Sequence, residues 1–344
     1  MDFLLEYGLF FAKAITGLVF ILILISLISS LSQRNKRENE DGHIEVSRLH
    51  ERFEDWQDTL NYALMNDEQY KKLRKERRKH EKAERKGKLK SDKKRLFVLD
   101  FDGDIRASEV ECLRHEISAI LTLATPQDEV LLRLESPGGL VHSYGLAASQ
   151  LQRLRDKNIP LTIAIDRVAA SGGYMMACIG NRLLAAPFAV IGSIGVVAQL
   201  PNFNRLLKKH DIDVELHTAG QHKRTLTMIG ENTEEGRKKF IEELEDTHQL
   251  FKEFVGEHRP QLDIDAIATG EVWYGRRAVD QGLIDGLSTS DDYLLEKRDE
   301  ADIYAVKFKY KRSLQERLGL AAEGAVDRGL WRVIDKLRSS RFHG

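Results

Sequence analysis

Cysteine is almost missing. Cys112 and Cys178 are the only two in 344 residues, enough for one bridge at most, so no disulfide scaffold holds this chain and its stability must come from a core. The two are too isolated to build a metal cluster, and no GxxxxGK(S/T) nucleotide loop occurs, so no metal or cofactor is implied. Glycine, at 25 residues, is too scarce for a collagen-like repeat, while 42% hydrophobic content is too high for a disordered chain. Net charge is nearly absent as well, with 53 Lys and Arg against 54 Asp and Glu. That balance hides a segregation. Lys71 to Arg95 holds fifteen basic and four acidic residues, a net of +11, so the other 319 sum to −12.

What is present begins with a membrane signal. Ala14 to Ser32 is nineteen residues without a charge, and extension back to Gly8 gives a stretch long enough to cross about 30 Å of hydrocarbon as a helix. A cleaved signal peptide would start basic and carry a shorter apolar region, whereas this start is acidic, with Asp2 and Glu6. Residues 8–32 therefore read as a retained anchor in the lipid bilayer. Arg34, Lys36 and Arg37 follow the span directly, which by the positive-inside rule leans the remaining chain toward the cytoplasm. Residues 33–95 read as a charged, basic linker, with Arg48 to Lys86 able to form a solvated helix. The basic run reads as a spacer or a lipid-surface contact; nucleic acid is not expected, because no binding motif accompanies it.

From Leu96 the texture changes. RLFVLDFDGDI reads as a buried strand, ECLRHEISAILTLA as an amphipathic helix, EVLLRLES as a second strand and VHSYGLAASQLQRLRDK as a second helix. PLTIAID and RLLAAP are further strands, and Glu234 to His258 is a long charged helix suited to an outer face. The repetition predicts an α/β domain with parallel pairing over 96–300, followed by a C-terminal strand and helix extension over 301–344. Leu183 to Leu200 is uncharged, but Pro187, Gly192 and Gly195 make it a poor helix, so it reads as strand and loop.

The first chemical candidate is Ser171, in Ala169-Ala170-Ser171-Gly172-Gly173-Tyr174, between an apolar strand and an apolar helix. Small neighbours admit a substrate carbonyl, and the helix start offers unpaired N–H groups, with Gly172 one oxyanion donor. An ordinary serine N-cap would look similar. Ser136-Pro137-Gly138-Gly139 also follows a strand, where its two glycines can aim a second donor. Both segments close strands of a parallel sheet, where α/β sites gather. A serine needs a base. The histidines His115, His142, His217 and His222 form no recognisable triad, while Lys223, after a predicted strand, could serve if desolvation lowered its pKa. A lysine there is more often a solvated charge.

SPGG, then ASGGY, then Gly192-Ser193-Ile194-Gly195, then a G-x-x-K segment resembles the signal peptide peptidase A family of Ser–Lys proteases. The resemblance runs from about 96 to 290 and includes GEVWYGRRAVDQGLIDGL at 270–287. It implies a ClpP/crotonase-like core, a serine endopeptidase activity on apolar peptides such as released signal peptides, and a ring-like homo-oligomer. It also implies that Ser171 is the nucleophile, Lys223 the general base and Ser193 a support for that lysine. Gly138 or Gly139, with Gly172, would form the oxyanion hole. Arg224 departs from the acid that family members often carry after the lysine. Members with a periplasmic domain leave the side of the inner membrane open.

Rivals come from other classes. Val98 to Gly103 resembles the first motif of haloacid-dehalogenase-like phosphatases, implying Asp100 and Asp102 as nucleophile and proton carrier around magnesium. Asp104 stands where Thr or Val is usual, and Asp291-Asp292 is a poor match for the second acidic motif. A crotonase-type acyl-CoA enzyme or a catalytically inactive tethered scaffold would share the fold without needing the serine and lysine.

Overall fold

The computed structural model describes residues 42–75, 93–220 and 222–311. The chain divides into two compact units, one of residues 44–307 and one of the chain ends, 1–43 with 308–344. In the second unit Phe308 and Tyr310 meet edge to face with ring centroids 5.1 Å apart. Every candidate site residue lies in the first. The expected span at 8–32, the middle of the basic run and the helix expected after 311 lie outside the described residues. Among the described residues no helix is long and apolar enough to cross a membrane.

The elements run β1 (Gly42–Arg48), α1 (Leu49–Leu64), β2 (Lys94–Asp102), α2 (Val110–Leu121), β3 (Glu129–Glu135), α3 (Val141–Asp156), β4 (Leu161–Ile165), β5 (Val168–Ala170) and α4 (Gly172–Ala177). Then come β6 (Arg182–Ala185), β7 (Val190–Gly192), α5 (Asn204–Lys209), α6 (Glu234–His258), α7 (Ile264–Ile267) and β8 (Val272–Tyr274). The last are α8 (Gly275–Asp280), β9 (Gly286–Leu287), α9 (Ser290–Lys297) and β10 (Ala301–Tyr310). Seven strands form one sheet in the order β1-β10-β2-β3-β4-β6-β9, and three form another, β5-β7-β8. From β10 to β9 every pair is parallel; in the small sheet β5 and β7 are parallel and β8 is antiparallel. The domain is α/β with a mostly parallel sheet.

Both faces of the large sheet are covered, as a parallel sheet requires. Strand side chains alternate: Phe97, Leu99 and Phe101 enter one core with Val130, Leu132 and Leu134, while Leu96, Val98 and Leu131 enter the other. The first core takes Val110, Leu113, Ile117 and Ile120 of α2, and Tyr144, Ala147, Ala148, Leu151 and Leu154 of α3, both at helical spacing. The second takes Tyr293 and Leu294 of α9, with Leu49 and Phe53 of α1 against it. Each fully buried Leu or Ile contributes about 1.5–3 kcal/mol relative to exposure. Helix α6 buries only Phe251 and Val255, so it lies on the outside as its charge predicts.

Two stretches, the linker and the chain before Lys223, differ from their sequence reading, while the strand expected after 301 is present as β10. Residues 42–48 of the expected linker are a strand, and the helix after them ends at Leu64 before a second helical stretch at 67–75. Leu49 and Phe53, one turn apart, give that linker an apolar stripe that docks on the sheet. Strand β10 sits between β1 and β2, inside the sheet, because Ala301, Ile303 and Ala305 alternate into the second core. The uncharged stretch from Leu183 is β6, β7 and irregular chain, as expected. The strand expected before Lys223 is absent: residues 212–218 are irregular.

Candidate active site

Three strand ends converge on Ser171. Ser136, just past β3, bridges Ala169 of β5, giving its N–H to Val168 O (2.8 Å) and accepting from Ala170 N–H (3.0 Å). On the other side β7 pairs in register with β5, Ala170 against Gly192, and the Ser171 N–H donates to Gly192 O at 2.8 Å. Ser193 is therefore the next residue alongside Ser171. Its own N–H is held by Glu271 O at 2.6 Å.

Ser171 sits at φ 52°, ψ −118°, a left-handed conformation that costs a non-glycine residue about 1–3 kcal/mol unless the surroundings hold it. Here the bonds on both flanking strands do so. The residue opens α4, all six residues of which are buried, yet its hydroxyl makes no capping bond to the helix. The ordinary N-cap reading thus loses its main support, and the half-buried Oγ stays available at a helix N-terminus.

The SPGG loop lies directly against this elbow. A Cβ added at Gly138 (φ +93°) would fall 2.7 Å from Ser171 Cβ and 2.9 Å from Gly172 N. Gly138 N–H donates to Ser136 Oγ at 3.1 Å, whereas Gly139 N–H has no acceptor among the described residues. Gly139 rests against the Ile105 carbonyl, which accepts from Leu140 N–H at 2.8 Å. Ser171, Gly172, Gly138, Gly139 and Ser193 are thus brought together.

Lys223 is not brought to them. It is exposed on irregular chain, its N–H turned back on Gly220 O at 3.2 Å, and its side chain makes no hydrogen bond or ion pair with a described residue. Arg224 beside it is exposed too. The phosphatase-like motif has other work. Asp100 is held between Arg133 Nε (2.6 Å) and Lys307 Nζ (2.7 Å). Burial would raise its carboxyl, but those two bonds outweigh burial and hold it below the usual carboxylate range.

Residues 2–151 match the peptidase family S49 N-terminal domain and residues 153–304 the peptidase family S49 domain. The chain is 53% identical to "Probable protease SohB" of Haemophilus influenzae over 94% of each chain. The chain belongs to peptidase family S49. A second relative of the same printed name, from Buchnera aphidicola, is 49% identical over 92% of this chain and 93% of its own. An Enterococcus faecium protein provisionally named signal peptide peptidase SppA is 29% identical over 48% of each chain. The S49 chain described here is a peptidase, and the phosphatase, acyl-CoA and scaffold alternatives give way.

Within this S49 domain Ser136, noted only as the first residue of the SPGG loop, and Tyr144, not singled out from the sequence, are both fully buried at 0% exposure and hydrogen-bonded to each other at 2.5 Å. A signal was available: Gly103, Gly138, Gly172 and Gly173 fall just beyond three strands, which points to something bulky packed among the loops.

Proposed function

We propose that this S49 peptidase is a membrane-anchored serine endopeptidase with a ClpP/crotonase-type core and a Ser–Lys dyad. Neutral Lys223 takes the proton from Ser171 Oγ as that oxygen bonds to the scissile carbonyl carbon. The N–H groups of Gly172 and of Gly139 hold the developing oxyanion; Gly138 is the weaker choice because Ser136 already occupies its N–H. Collapse breaks the C–N bond, and the amine leaves with the proton from Lys223. The lysine then takes a proton from water as that water attacks the acyl-serine, and returns the proton to Ser171 Oγ as the C–O bond breaks and the acid product leaves. Ser193, one register step from Ser171, supports the lysine. No metal or cofactor enters any step.

The observation that carries this reading is the elbow: a strained serine with an uncommitted hydroxyl, packed on a glycine loop at a helix start. A lysine acts as base only when desolvated, so the mechanism requires the exposed Lys223 segment to close over substrate or against a neighbouring subunit. A ring-like homo-oligomer supplies such a neighbour. The substrates are apolar peptides near the membrane, such as released signal peptides; exposed Val197, Leu200 and Phe203 after Ser193, and Met228 and Ile229 after Lys223, fit apolar chains. Residues 8–32 tether the enzyme to the inner membrane, and the flanking charges favour the cytoplasmic side. Labelling by a fluorophosphonate probe, together with cleavage of an apolar fluorogenic peptide, tests the reading: both must vanish in Ser171→Ala.

A further inference from the structure

A single buried pair lies behind the elbow. Tyr144 Oη donates its only proton to the Asp104 carbonyl at 2.8 Å, so in its 2.5 Å bond with Ser136 the serine is the donor. Ser136 Oγ in turn accepts the Gly138 N–H at 3.1 Å. The bonds run in one direction, from Gly138 N–H through Ser136 and Tyr144 to Asp104 O, and each polarises the next. Burial pushes the Tyr144 phenol up, against the pull of its Ser136 bond, so it keeps the proton the chain needs.

The packing around the pair is equally specific. A Cβ at Gly103 would fall 2.5 Å from both Ser136 Oγ and Tyr144 Oη, one at Gly173 would fall 2.5 Å from Ser136 O, and one at Gly172 would enter the Tyr144 ring. Three glycines, before α2 and at the start of α4, make room for two residues whose hydrogen bonds go elsewhere than the Ser171 hydroxyl.

We infer that Ser136 and Tyr144 are positioning residues that select the oxyanion hole's loop donor. By engaging Gly138 N–H they leave Gly139 N–H for substrate, and by filling the space beside Gly172 they fix the other donor. This rests on the serine-peptidase reading above. It extends that reading to two buried residues that act through the Gly138 and Gly172 backbone and make no hydrogen bond to the Ser171 hydroxyl. It also explains the glycine of the Asp102-Gly103 turn, which the phosphatase-like motif had left unassigned.

Tyr144→Phe is the decisive variant, because it keeps the ring against Gly172 and Phe101 and removes only the hydroxyl. On an apolar fluorogenic peptide, kcat is expected to fall about 10-fold with KM within about twofold, since the lost interaction exists only in the transition state. Inhibition by a tri-leucine aldehyde, whose serine adduct carries the oxyanion, weakens by the same factor, while fluorophosphonate labelling of Ser171 persists. Ser136→Ala frees the Gly138 N–H and is expected to lower kcat about 100-fold. Unchanged kcat and aldehyde affinity in a folded Tyr144→Phe would overturn the inference, as would a loss of kcat without weaker aldehyde binding. If Ser171→Ala itself retains activity, the serine-peptidase reading has failed instead, and the two failures are distinguishable.

Discussion

The elbow around Ser171 and the segment around Lys223 are built on opposite principles. At the elbow three loops are tied by main-chain bonds to strands β3, β5 and β7, and glycines let backbone touch backbone. The lysine segment has anchored feet and an unanchored tip. Asn202 Nδ2 binds Thr227 O and Gly230 O at 2.8 and 3.1 Å, and Phe203 N–H binds Met228 O at 2.7 Å. Between these feet, the described residues of 211–224 show only local bonds, such as His217 to Glu215 at 3.1 Å. The proposed nucleophile and hole are thus preformed by the domain, while the proposed base sits where local opening costs least. Preorganised donors cost no rearrangement during reaction, whereas a lysine base works only in a dry site, so a segment that arrives with substrate suits it.

The largest effects should fall on the two dyad members. Ser171→Ala is expected to lower kcat by about 10⁴-fold or more, with melting temperature kept or raised because alanine leaves a hydroxyl unburied. Lys223→Ala is expected to lower kcat about 10³-fold without changing thermal unfolding, because its side chain touches no described part of the core. Retention of more than about a tenth of native kcat in Lys223→Ala would break the comparison, since the base would then lie elsewhere.

Most of the domain was legible because its signals are periodic. The alternation in β2 and the 3-4-7 spacing in α2 and α3 specify faces as well as elements, and Glu234–His258 was readable to the residue from its charge. Strand β1 was not, and although a strand after 301 was expected, its place between β1 and β2 was not, because pairing between segments so distant in the chain is encoded by no local pattern. In the site, Ser171 and the glycine loops were readable from turn chemistry after apolar strands. Ser136 and Tyr144 were not, since a serine and a tyrosine eight residues apart become neighbours only after the SPGG turn folds α3 back on β3. Lys223 stood among the candidate bases on its residue type, with only the resemblance to favour it over the histidines, and the strand expected to position it is irregular chain.

Two matched glycines separate the regions next. Gly138 has φ +93° and Gly220 φ +101°, so alanine at either position carries about 1–2 kcal/mol of backbone strain. At Gly138 the new Cβ also strikes Ser171 Cβ and Ala170 O, each at 2.7 Å, whereas at Gly220 its nearest neighbour is Lys223 Cβ at 3.9 Å. Gly138→Ala is therefore expected to lower both melting temperature and kcat, the latter about 100-fold. Gly220→Ala should leave the melting temperature unchanged, because its strain is released by local opening of the tip. Equal melting losses in the two variants would show that the tip is as firmly integrated as the elbow.

The smallest effect concerns the far end of β3, whose near end carries the SPGG loop. Asp128, 4% exposed, precedes that strand and accepts from Arg95 Nε and Nη2 at 2.8 and 2.6 Å and from Thr125 N–H and Oγ1 at 2.8 and 2.9 Å. Burial alone would raise its pKa, but these donors outweigh burial and bring it down to about 2. A depressed carboxylate contributes stability that is fully present above its unfolded pKa near 3.9 and is lost as pH falls through the folded value. Denaturant unfolding of native protein and Asp128→Asn should therefore differ by on the order of 1–2 kcal/mol between pH 5 and 7, the gap closing as pH falls toward about 2. A gap that stays constant down to pH 2.5 would mean that the clamp's worth lies in its packing and not in its charge.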